Sequence, residues 1–289
     1  PPDVFSRESE CSSRFSPLEP ETASQPVTDD MYPARRVAFP GGVTGMPDLT
    51  YGKYSGYRPL TLDLYLPPAS MRKPESGFPL VVYIHGGGWI SGHSRQAGAF
   101  ANFPEVLASL AGRGYVTASV NYRLCHEAGF PAAVMDIKTA IRWLRSKAGG
   151  FGLDPERAAV WGGSAGGQIA ALVAVTGGLE AFDPARPAFD REGRPISGFL
   201  PAEVICQSDC VQAAAAWYGV FDFAAMFRQA GFMEGAPAPG AHGVFTYLGF
   251  DPSNRRPEIL EAASCTTYID RNTPPMLLIH GVEDTIVPY

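Results

Sequence analysis

The feature that most constrains the fold is an alternation of short apolar runs with helical patterns. The apolar runs have the length of strands and lie at 78–84, 115–122, 157–162, 211–219 and 274–281. Between them, most clearly at 131–148, apolar residues recur with the three- to four-residue spacing of an amphipathic helix. Strands that are apolar on both faces and alternate with helices form a mostly parallel sheet with helices on both faces. The sequence therefore predicts an α/β fold that binds its ligands at the carboxyl ends of the strands.

The regions before residue 78 have a different character. Residues 1–34 are rich in Ser, Pro and Glu without periodicity, which predicts an irregular N-terminal arm. We expect a single α/β domain over 35–289. At its start, RRVAF at 35–39 and the alternating LTLDLYL at 60–66 predict half-buried antiparallel edge strands.

Two long segments interrupt the alternation of strands and helices. They span 178–210 and 222–256, and the second contains the run GAPAPGAHG. Long insertions of this kind often cover a binding site. We expect both to form lid elements over the carboxyl edge of the sheet.

Composition excludes several classes of partner and cofactor. With 29 acidic against 23 basic residues the net charge is −6, which gives no basic surface for nucleic acid. The apolar runs are far shorter than the roughly 20 residues of a membrane span. Cys206 and Cys210 have no nearby histidine and no second cysteine pair, so a zinc site is not expected. The motifs imply no other metal and no organic cofactor. A local Cys206–Cys210 disulfide and buried free thiols both remain open, as do a secreted and a cytoplasmic location.

A candidate nucleophile lies between an apolar strand and an Ala-rich helix. There the segment from Gly162 to Gly166 reads Gly-Gly-Ser-Ala-Gly, a G-x-S-x-G pattern in the strand-to-helix context that its function requires. Such a turn holds the serine hydroxyl above the sheet, at a helix N-terminus that favours developing negative charge. A phosphate-binding loop would need a lysine near 164–168, and none is present. Ser164 is therefore the predicted nucleophile.

A second glycine-rich turn follows the strand at 78–84. It reads His-Gly-Gly-Gly-Trp at 85–89. Acyl transfer requires preorganised N–H donors around the oxyanion of the tetrahedral intermediate, and glycines leave backbone amides free to point into a cleft. We expect the oxyanion hole to consist of the amides of Gly87, Gly88 and Ala165.

These motifs together resemble the α/β-hydrolase esterases. The stretches that carry the resemblance are HGGGW at 85–89, NYRL at 121–124, FPAAVMDIKTAIRWLR at 130–145 and WGGSAGG at 161–167. The likeness is to bacterial carboxylesterases and to acetyl and feruloyl esterases, near the hormone-sensitive-lipase-like group. That group usually has Asp where this chain has Gly163, and Ala-Pro where it has Cys125-His126. The resemblance implies an α/β-hydrolase fold and a serine carboxylesterase acting on small acyl or aryl esters.

In such enzymes the catalytic acid lies in a phrase like HG-x-x-D-x-x-V-P, which matches His280 to Pro288. The resemblance therefore assigns the acid to Asp284, with Glu283 and Asp222 as alternatives. In this fold the histidine base follows the acid, yet no histidine follows Asp284.

The base could in principle come from elsewhere in the chain. The five histidines are His85, His93, His126, His242 and His280. Of these, His242 in the second insertion is the one candidate that could fold over Ser164. We expect instead a C-terminally incomplete domain whose base comes from a second polypeptide or a C-terminal fragment. A shortened chain, a C-terminal segment beyond residue 289 and an inactive protein are the alternatives.

Four aromatic residues follow or end core strands near the expected cleft. They are Trp89, Tyr122, Trp217 and Tyr218. We expect them to line the pocket for an ester substrate, and core packing is the alternative. An aminopeptidase or oligopeptidase shares the elbow and the acid phrase, whereas a catalytically silent binding module would explain the missing base. Both alternatives to an esterase stay open at this point.

Overall fold

The fold was analysed in a computed structural model of the chain. The structure describes residues 34–54, 58–98, 100–185, 188–189, 195–196, 200–229, 242–249 and 256–289. The chain divides into two compact units, Pro1–Arg35 and Arg36–Tyr289. The architecture below is that of the second unit.

Strands and helices alternate along this unit, as the sequence predicts. The strands among the described residues are β1 (Val37–Ala38), β2 (Thr44–Gly52), β3 (Leu60–Leu66), β4 (Phe78–Ile84), β5 (Val116–Val120), β6 (Leu153–Gly163), β7 (Ala188–Phe189), β8 (Pro195–Ile196), β9 (Ala213–Trp217) and β10 (Met276–Ile279). The helices are α1 (Phe103–Ala111), α2 (Ala132–Ser146), α3 (Ala148–Phe151), α4 (Ala165–Val175), α5 (Ala202–Ile205), α6 (Phe223–Gln229), α7 (His242–Leu248) and α8 (Pro257–Ala263). None of these described helices is both long enough and apolar enough to cross a membrane.

Eight of the described strands form one sheet in the order β1-β2-β3-β5-β4-β6-β9-β10. The pairs from β5 through β4, β6 and β9 to β10 are parallel, and those on the β1 side are antiparallel. Short β7 and β8 form a separate antiparallel ribbon. The predicted mostly parallel α/β sheet is confirmed.

Helices cover both faces of the sheet because successive side chains of each strand point to opposite sides. On one face the buried core joins the sheet to α2 and α4 through residues such as Leu62, Val82, Val160, Ile137 and Ile169. On the other face, α1 packs on the sheet through Phe103 and Leu107, against Tyr65 and Tyr83. Each fully buried aliphatic side chain contributes about 2 kcal/mol through removal from water.

One prediction about local structure is wrong, and one open alternative is decided. Residues 60–66 are not a half-buried edge strand, because β2 pairs with one side of β3 and β5 with the other. Most of its polar positions are buried too, including Asp63. Of the two readings left open for Cys206 and Cys210, the local disulfide is excluded, since Cys206 is disulfide-bonded while Cys210 is an exposed free thiol. The partner of Cys206 is not among the described residues.

The described parts of the two insertions contain helices and the ribbon. The first contributes β7, β8 and α5, and the second contributes α6 and α7. The glycine of α7, Gly243, approaches the carbonyl oxygen of Gly88 so closely that an added Cβ would lie 2.7 Å from it. This helix of the second insertion therefore packs against the turn at 85–89.

A buried ion pair fixes α2 to the loop after β5. Arg123 Nη2 lies 2.6 Å from Asp136 Oδ1, and both side chains are fully buried. The backbone amide of Arg123 also donates to Asp136 Oδ2 at 2.8 Å. Because a buried ion is costly without its partner, loss of one member exposes the full desolvation penalty of the other.

We predict that Asp136→Asn lowers the free energy of unfolding by about 3 kcal/mol or more, because Arg123 is left as a buried, uncompensated cation. Urea denaturation followed by circular dichroism measures the effect. The matched control is Glu203→Gln, which removes an exposed partner 3.9 Å from Lys147 and should change little. Equal midpoints for both variants would contradict this role for the buried pair.

Candidate active site

Ser164 occupies a strained turn between β6 and α4. Its φ is 57° and its ψ is −127°, a conformation that residues with a side chain rarely adopt. The Ser164 amide donates to the carbonyl oxygen of Trp217 at 2.9 Å, which fixes the turn to β9. An added Cβ at Gly162 would collide with the carbonyl of Gly166, so the turn can close only with glycine there. The backbone thus has the geometry of a nucleophile elbow.

The turn at 85–89 lies directly against this elbow. A Cβ added to Gly86 would be 3.3 Å from the Ser164 Cβ and 2.8 Å from the carbonyl oxygen of Gly163. Gly87 and Gly88 have φ values of 112° and 60°, in the region that favours glycine. Only backbones without side chains can approach so closely.

Three backbone amides near Ser164 are available to a ligand. Within the described part of the chain, the amides of Gly87, Gly88 and Ala165 donate no hydrogen bond. Ala165 is the first residue of α4, where an amide has no partner within the helix. Uncommitted amides beside a helix N-terminus suit an anionic oxygen.

His85 begins the glycine turn at 85–89, and its ring and its carbonyl group are both held by neighbouring residues. Its ring stacks on Tyr122 at 4.2 Å, and Nδ1 lies 2.8 Å from the carbonyl oxygen of Gly86. The Tyr122 hydroxyl donates to the His85 carbonyl oxygen at 2.9 Å. Burial lowers the pKa of His85 to about 4, so that the ring is neutral near pH 7.

The segment that follows the turn at 85–89 is anchored at Ser94 and Arg95 by a buried polar cluster, which the sequence analysis did not predict. Asp63 accepts from the Ser94 hydroxyl at 2.9 Å and from Arg95 Nε at 2.7 Å. The amide of Ser94 donates to Asn121 Oδ1 at 2.8 Å. A charged residue inside the apolar run at 60–66 was the available signal, because a buried carboxylate requires partners.

The candidate acid, Asp284, comes after a strand that ends at the same edge of the sheet as the strand before Ser164. Gly163 pairs with Trp217, and Trp217 pairs with Ile279, so β6 and β10 end two strand spacings apart, about 10 Å. Asp284 lies in the loop after Ile279. Its Oδ1 accepts from the amides of Ile286 and Val287, both at 2.9 Å.

The second oxygen of Asp284 is less engaged. Oδ2 lies 3.6 Å from His280 Nε2, which is 2.8 Å from the carbonyl oxygen of Val287. The alternatives are placed differently, since Glu283 is exposed and Asp222 accepts from the Ala225 amide at the start of α6. The carboxylate of Asp284 is thus held by its own loop through Oδ1, while Oδ2 makes only the longer contact with His280.

The four aromatic residues predicted to line the pocket have different surroundings. Trp89 and Tyr122 are buried, with exposed fractions of 3% and 0%. Trp217 packs against Trp161 at 5.1 Å. Tyr218 is 39% exposed, and its hydroxyl would lie 2.9 Å from a Cβ at Gly163, next to the nucleophile. A substrate-binding role for these residues stays a prediction, and Tyr218 has the most suitable position.

Within the residues that the structure covers, no group of His, Cys, Asp or Glu side chains is arranged to hold a metal ion. The strained serine and the uncommitted amides described above can support attack by a serine and stabilisation of an oxyanion.

The neutral state of His85 makes stability depend on pH. The folded state lowers its pKa from 6.5 to about 4, so the unfolded chain binds the proton first. The contribution is fully present above about pH 6.5 and is lost as the pH falls toward 4. From about pH 7 to about pH 5 we predict that this group removes about 2 kcal/mol of unfolding free energy.

Urea denaturation of the wild type and of His85→Gln at both pH values measures this contribution. The variant should lose less stability on acidification than the wild type, because it has no ring to protonate. An equal loss in both proteins would show that His85 is not held neutral.

Comparison with known proteins shows that the sequence of this chain is similar to those of esterases. The esterase LipC of Mycobacterium tuberculosis is 32% identical over 219 residues, which cover 74% of this chain and 46% of LipC. LipQ of the same organism is 32% identical, covering 83% of this chain and 49% of LipQ. The chain spans about half the length of the curated relatives it matches first.

Solved structures share the fold. Esterase Est2 of the Planctomycetes species Thermogutta terrifontis has a TM-score of 0.57 at 28% identity, covering 86% of this chain and 73% of Est2. Est2 structures include forms with bound butyrate or propionate and a form phosphoramylated by tabun. The truncated form of a carbohydrate esterase from gut microbiota has a TM-score of 0.63 at 24% identity, covering 87% of this chain and 82% of its own, and supports the fold alone.

The resemblance to the α/β-hydrolase esterases is confirmed by these comparisons. The model of the BD-FAE family matches residues 62–289, which is more than half of the chain. The match includes β4 and its glycine loop, the elbow at Ser164 and the loop of Asp284. The chain belongs to the BD-FAE family and has the α/β-hydrolase fold.

Proposed function

We propose that this protein is a serine carboxylesterase that hydrolyses small acyl or aryl esters through an acyl-enzyme on Ser164. The observation that carries the proposal is the strained elbow of Ser164 against a glycine loop, with three uncommitted amides beside it. The names of the relatives LipC and Est2, both esterases, support the same reaction. The butyrate and propionate bound to Est2 support a short acyl group.

In the proposed reaction, the Ser164 hydroxyl attacks the ester carbonyl carbon while a histidine accepts its proton. The oxyanion receives hydrogen bonds from the amides of Gly87, Gly88 and Ala165. The carbonyl then re-forms, the C–O bond to the alcohol breaks, and the histidine gives its proton to the departing alcohol oxygen. Water repeats the sequence on the acyl-enzyme and releases the acid. Each amide lost from such a hole raises the barrier by about 3 kcal/mol.

Asp284 is the proposed orienter of the histidine. Two backbone amides hold its Oδ1, whereas Oδ2 has only a 3.6 Å contact with His280 Nε2 and can receive the N–H of a further imidazole. A carboxylate in this position selects the correct tautomer and stabilises the imidazolium.

The base is proposed to come from outside the described residues. Among those residues, no histidine is hydrogen-bonded to Ser164: His85 bonds to Gly86, His280 bonds to Val287, and His93 accepts from the Arg95 amide. The side chain of His242 lies outside the described set. We therefore propose that a second polypeptide or a C-terminal fragment supplies the histidine.

The β10 end of the sheet has the surface that such a segment would cover. Leu277 and Ile279 are 58% and 47% exposed, and they point to the same face as Ala215 and Trp217 on the neighbouring strand. Among the described strands, β10 is paired only with β9. An exposed apolar strand with an open edge favours pairing with a further strand. A segment bound there would reach the loop of Asp284.

An aminopeptidase-like hydrolase is less favoured, because the relatives named above are esterases. A silent binding module would not need three uncommitted amides beside a strained serine. Comparison of p-nitrophenyl acetate with the corresponding anilide separates ester from amide hydrolysis.

We predict that Ser164→Ala abolishes hydrolysis of p-nitrophenyl acetate by a preparation containing the histidine-bearing segment, because the acyl-enzyme cannot form. The loss should exceed about a thousandfold. Fluorophosphonate labelling, followed by peptide mapping, should be lost as well. The matched control is Ser109→Ala, an exposed serine on α1 that should retain both signals. Turnover by Ser164→Ala would refute the nucleophile assignment.

We predict that Ile279→Glu prevents association with the histidine-bearing segment, because it places a charge on the apolar face of β10. Native mass spectrometry of the purified protein, with intact mass analysis, should show the wild type as two associated species and the variant as one. Ile269→Glu is the matched control, since Ile269 is 59% exposed but lies outside the strand. A wild-type sample consisting only of the 289-residue species would overturn the proposed association.

A further inference from the structure

Gln168 is a fully buried polar residue that the proposed reaction does not use. It lies on α4, one helical turn after Ser164, with an exposed fraction of 0%. Its side-chain oxygen accepts from Trp89 Nε1 at 3.1 Å and from the Tyr247 hydroxyl at 3.2 Å. Its side-chain nitrogen donates to the carbonyl oxygen of Ala263 at 3.0 Å. One amide therefore joins the nucleophile helix to three separate segments.

The bond to Trp89 acts on the oxyanion loop. Trp89 follows Gly88 directly and has a φ of 61°, a left-handed conformation that is unfavourable for a residue with a large side chain. Its indole is nevertheless held by Gln168, and its carbonyl oxygen accepts from the Cys125 amide at 2.7 Å. Fixing both ends of Trp89 in this conformation fixes the direction of the Gly88–Trp89 peptide. The loop is therefore positioned relative to Ser164 through a side chain of the same helix.

The bond to Tyr247 brings helix α7 into the same arrangement. The rings of Trp89 and Tyr247 are stacked, with centroids 4.5 Å apart and planes 9° from parallel. The same helix presents Gly243 to the carbonyl oxygen of Gly88. Tyr247 and Trp89 thus share one acceptor and one stacking contact. The second insertion and the oxyanion loop are consequently fixed to each other by Gln168.

We propose that Gln168 is a positioning residue, which holds Trp89 and α7 so that the amides of Gly87 and Gly88 face Ser164. The proposal rests on the proposed esterase function and adds a residue to it. Its physical basis is that a buried indole N–H and a buried hydroxyl share the only acceptor that the described residues offer them. Without that acceptor, both donors would need to move, and the loop would move with Trp89.

The test compares Gln168→Met with the wild type in two measurements. Methionine has similar length but accepts hydrogen bonds poorly, so kcat for p-nitrophenyl acetate should fall about tenfold or more, because small displacements of catalytic groups are costly. KM should stay within about twofold, because an oxyanion hole acts mainly on the transition state. Separately, solvent exchange of the Trp89 indole N–H, observed by ¹⁵N NMR and assigned with Trp89→Phe, should become faster.

Gln168→Glu provides a rescue that a merely space-filling role would not show. A protonated carboxyl can accept from Trp89 and Tyr247 and donate to Ala263, just as the amide does. These three facing groups are uncharged, and burial favours the protonated acid. The kcat ratio of Gln168→Glu to wild type should therefore fall as the pH rises, whereas the ratio for Gln168→Met should not depend on pH. If Gln168→Met does not fold, Gln168→Glu and Trp89→Phe test the positioning role instead.

Gln212→Met is the matched control. Gln212 accepts from the Ala158 amide at 2.9 Å at the amino end of β9, far along the strand from the oxyanion loop. It should keep wild-type kcat and indole exchange. Unchanged Trp89 exchange in Gln168→Met, or unchanged kcat, would overturn the positioning role. If the wild type hydrolyses no ester, the proposed function fails, and the exchange measurement still decides what Gln168 holds.

Discussion

The site depends on one close approach between two backbones. The loop after β4 and the elbow after β6 come into contact at Gly86 and Gly166, where an added Cβ would meet main-chain atoms of the other segment. This approach follows from the hydrogen-bonded parallel pairing of β4 with β6, which brings their carboxyl ends to one edge, and from glycines that remove the steric barrier. With larger residues at these positions the two segments would be forced apart.

Buried polar groups then hold this arrangement in place. Asp63 bonds to Ser94 beyond the turn at 85–89, His85 begins that turn, and Gln168 accepts from Trp89 at its end. Each of these side chains is buried, so each costs desolvation energy that only satisfied hydrogen bonds can offset. The hydrogen bonds of these buried polar residues favour one geometry of the turn at 85–89. Apolar contacts of the same volume would leave that geometry adjustable.

Much of the fold could be predicted because its signals are local. The alternation of apolar runs with helical periodicity indicated the parallel sheet. The elbow and the glycine loop carry motifs in which a few adjacent residues determine the backbone conformation. Residues 60–66 were misplaced because alternation over a short run does not reveal that β2 would cover the outer edge. The disulfide state of Cys206 stayed open because spacing along the chain does not determine which cysteines meet in space. No local sequence pattern indicates the contacts of Gln168, because its three partners lie 79, 79 and 95 residues away along the chain.

The most direct test of the account is a crystal structure of the protein inactivated by an organophosphorus ester in the presence of its histidine-bearing segment. We expect a phosphorus–oxygen bond to Ser164, with the phosphoryl oxygen within about 3 Å of the amide nitrogens of Gly87, Gly88 and Ala165. A phosphoryl oxygen turned away from these amides, or an adduct on a different residue, would contradict it.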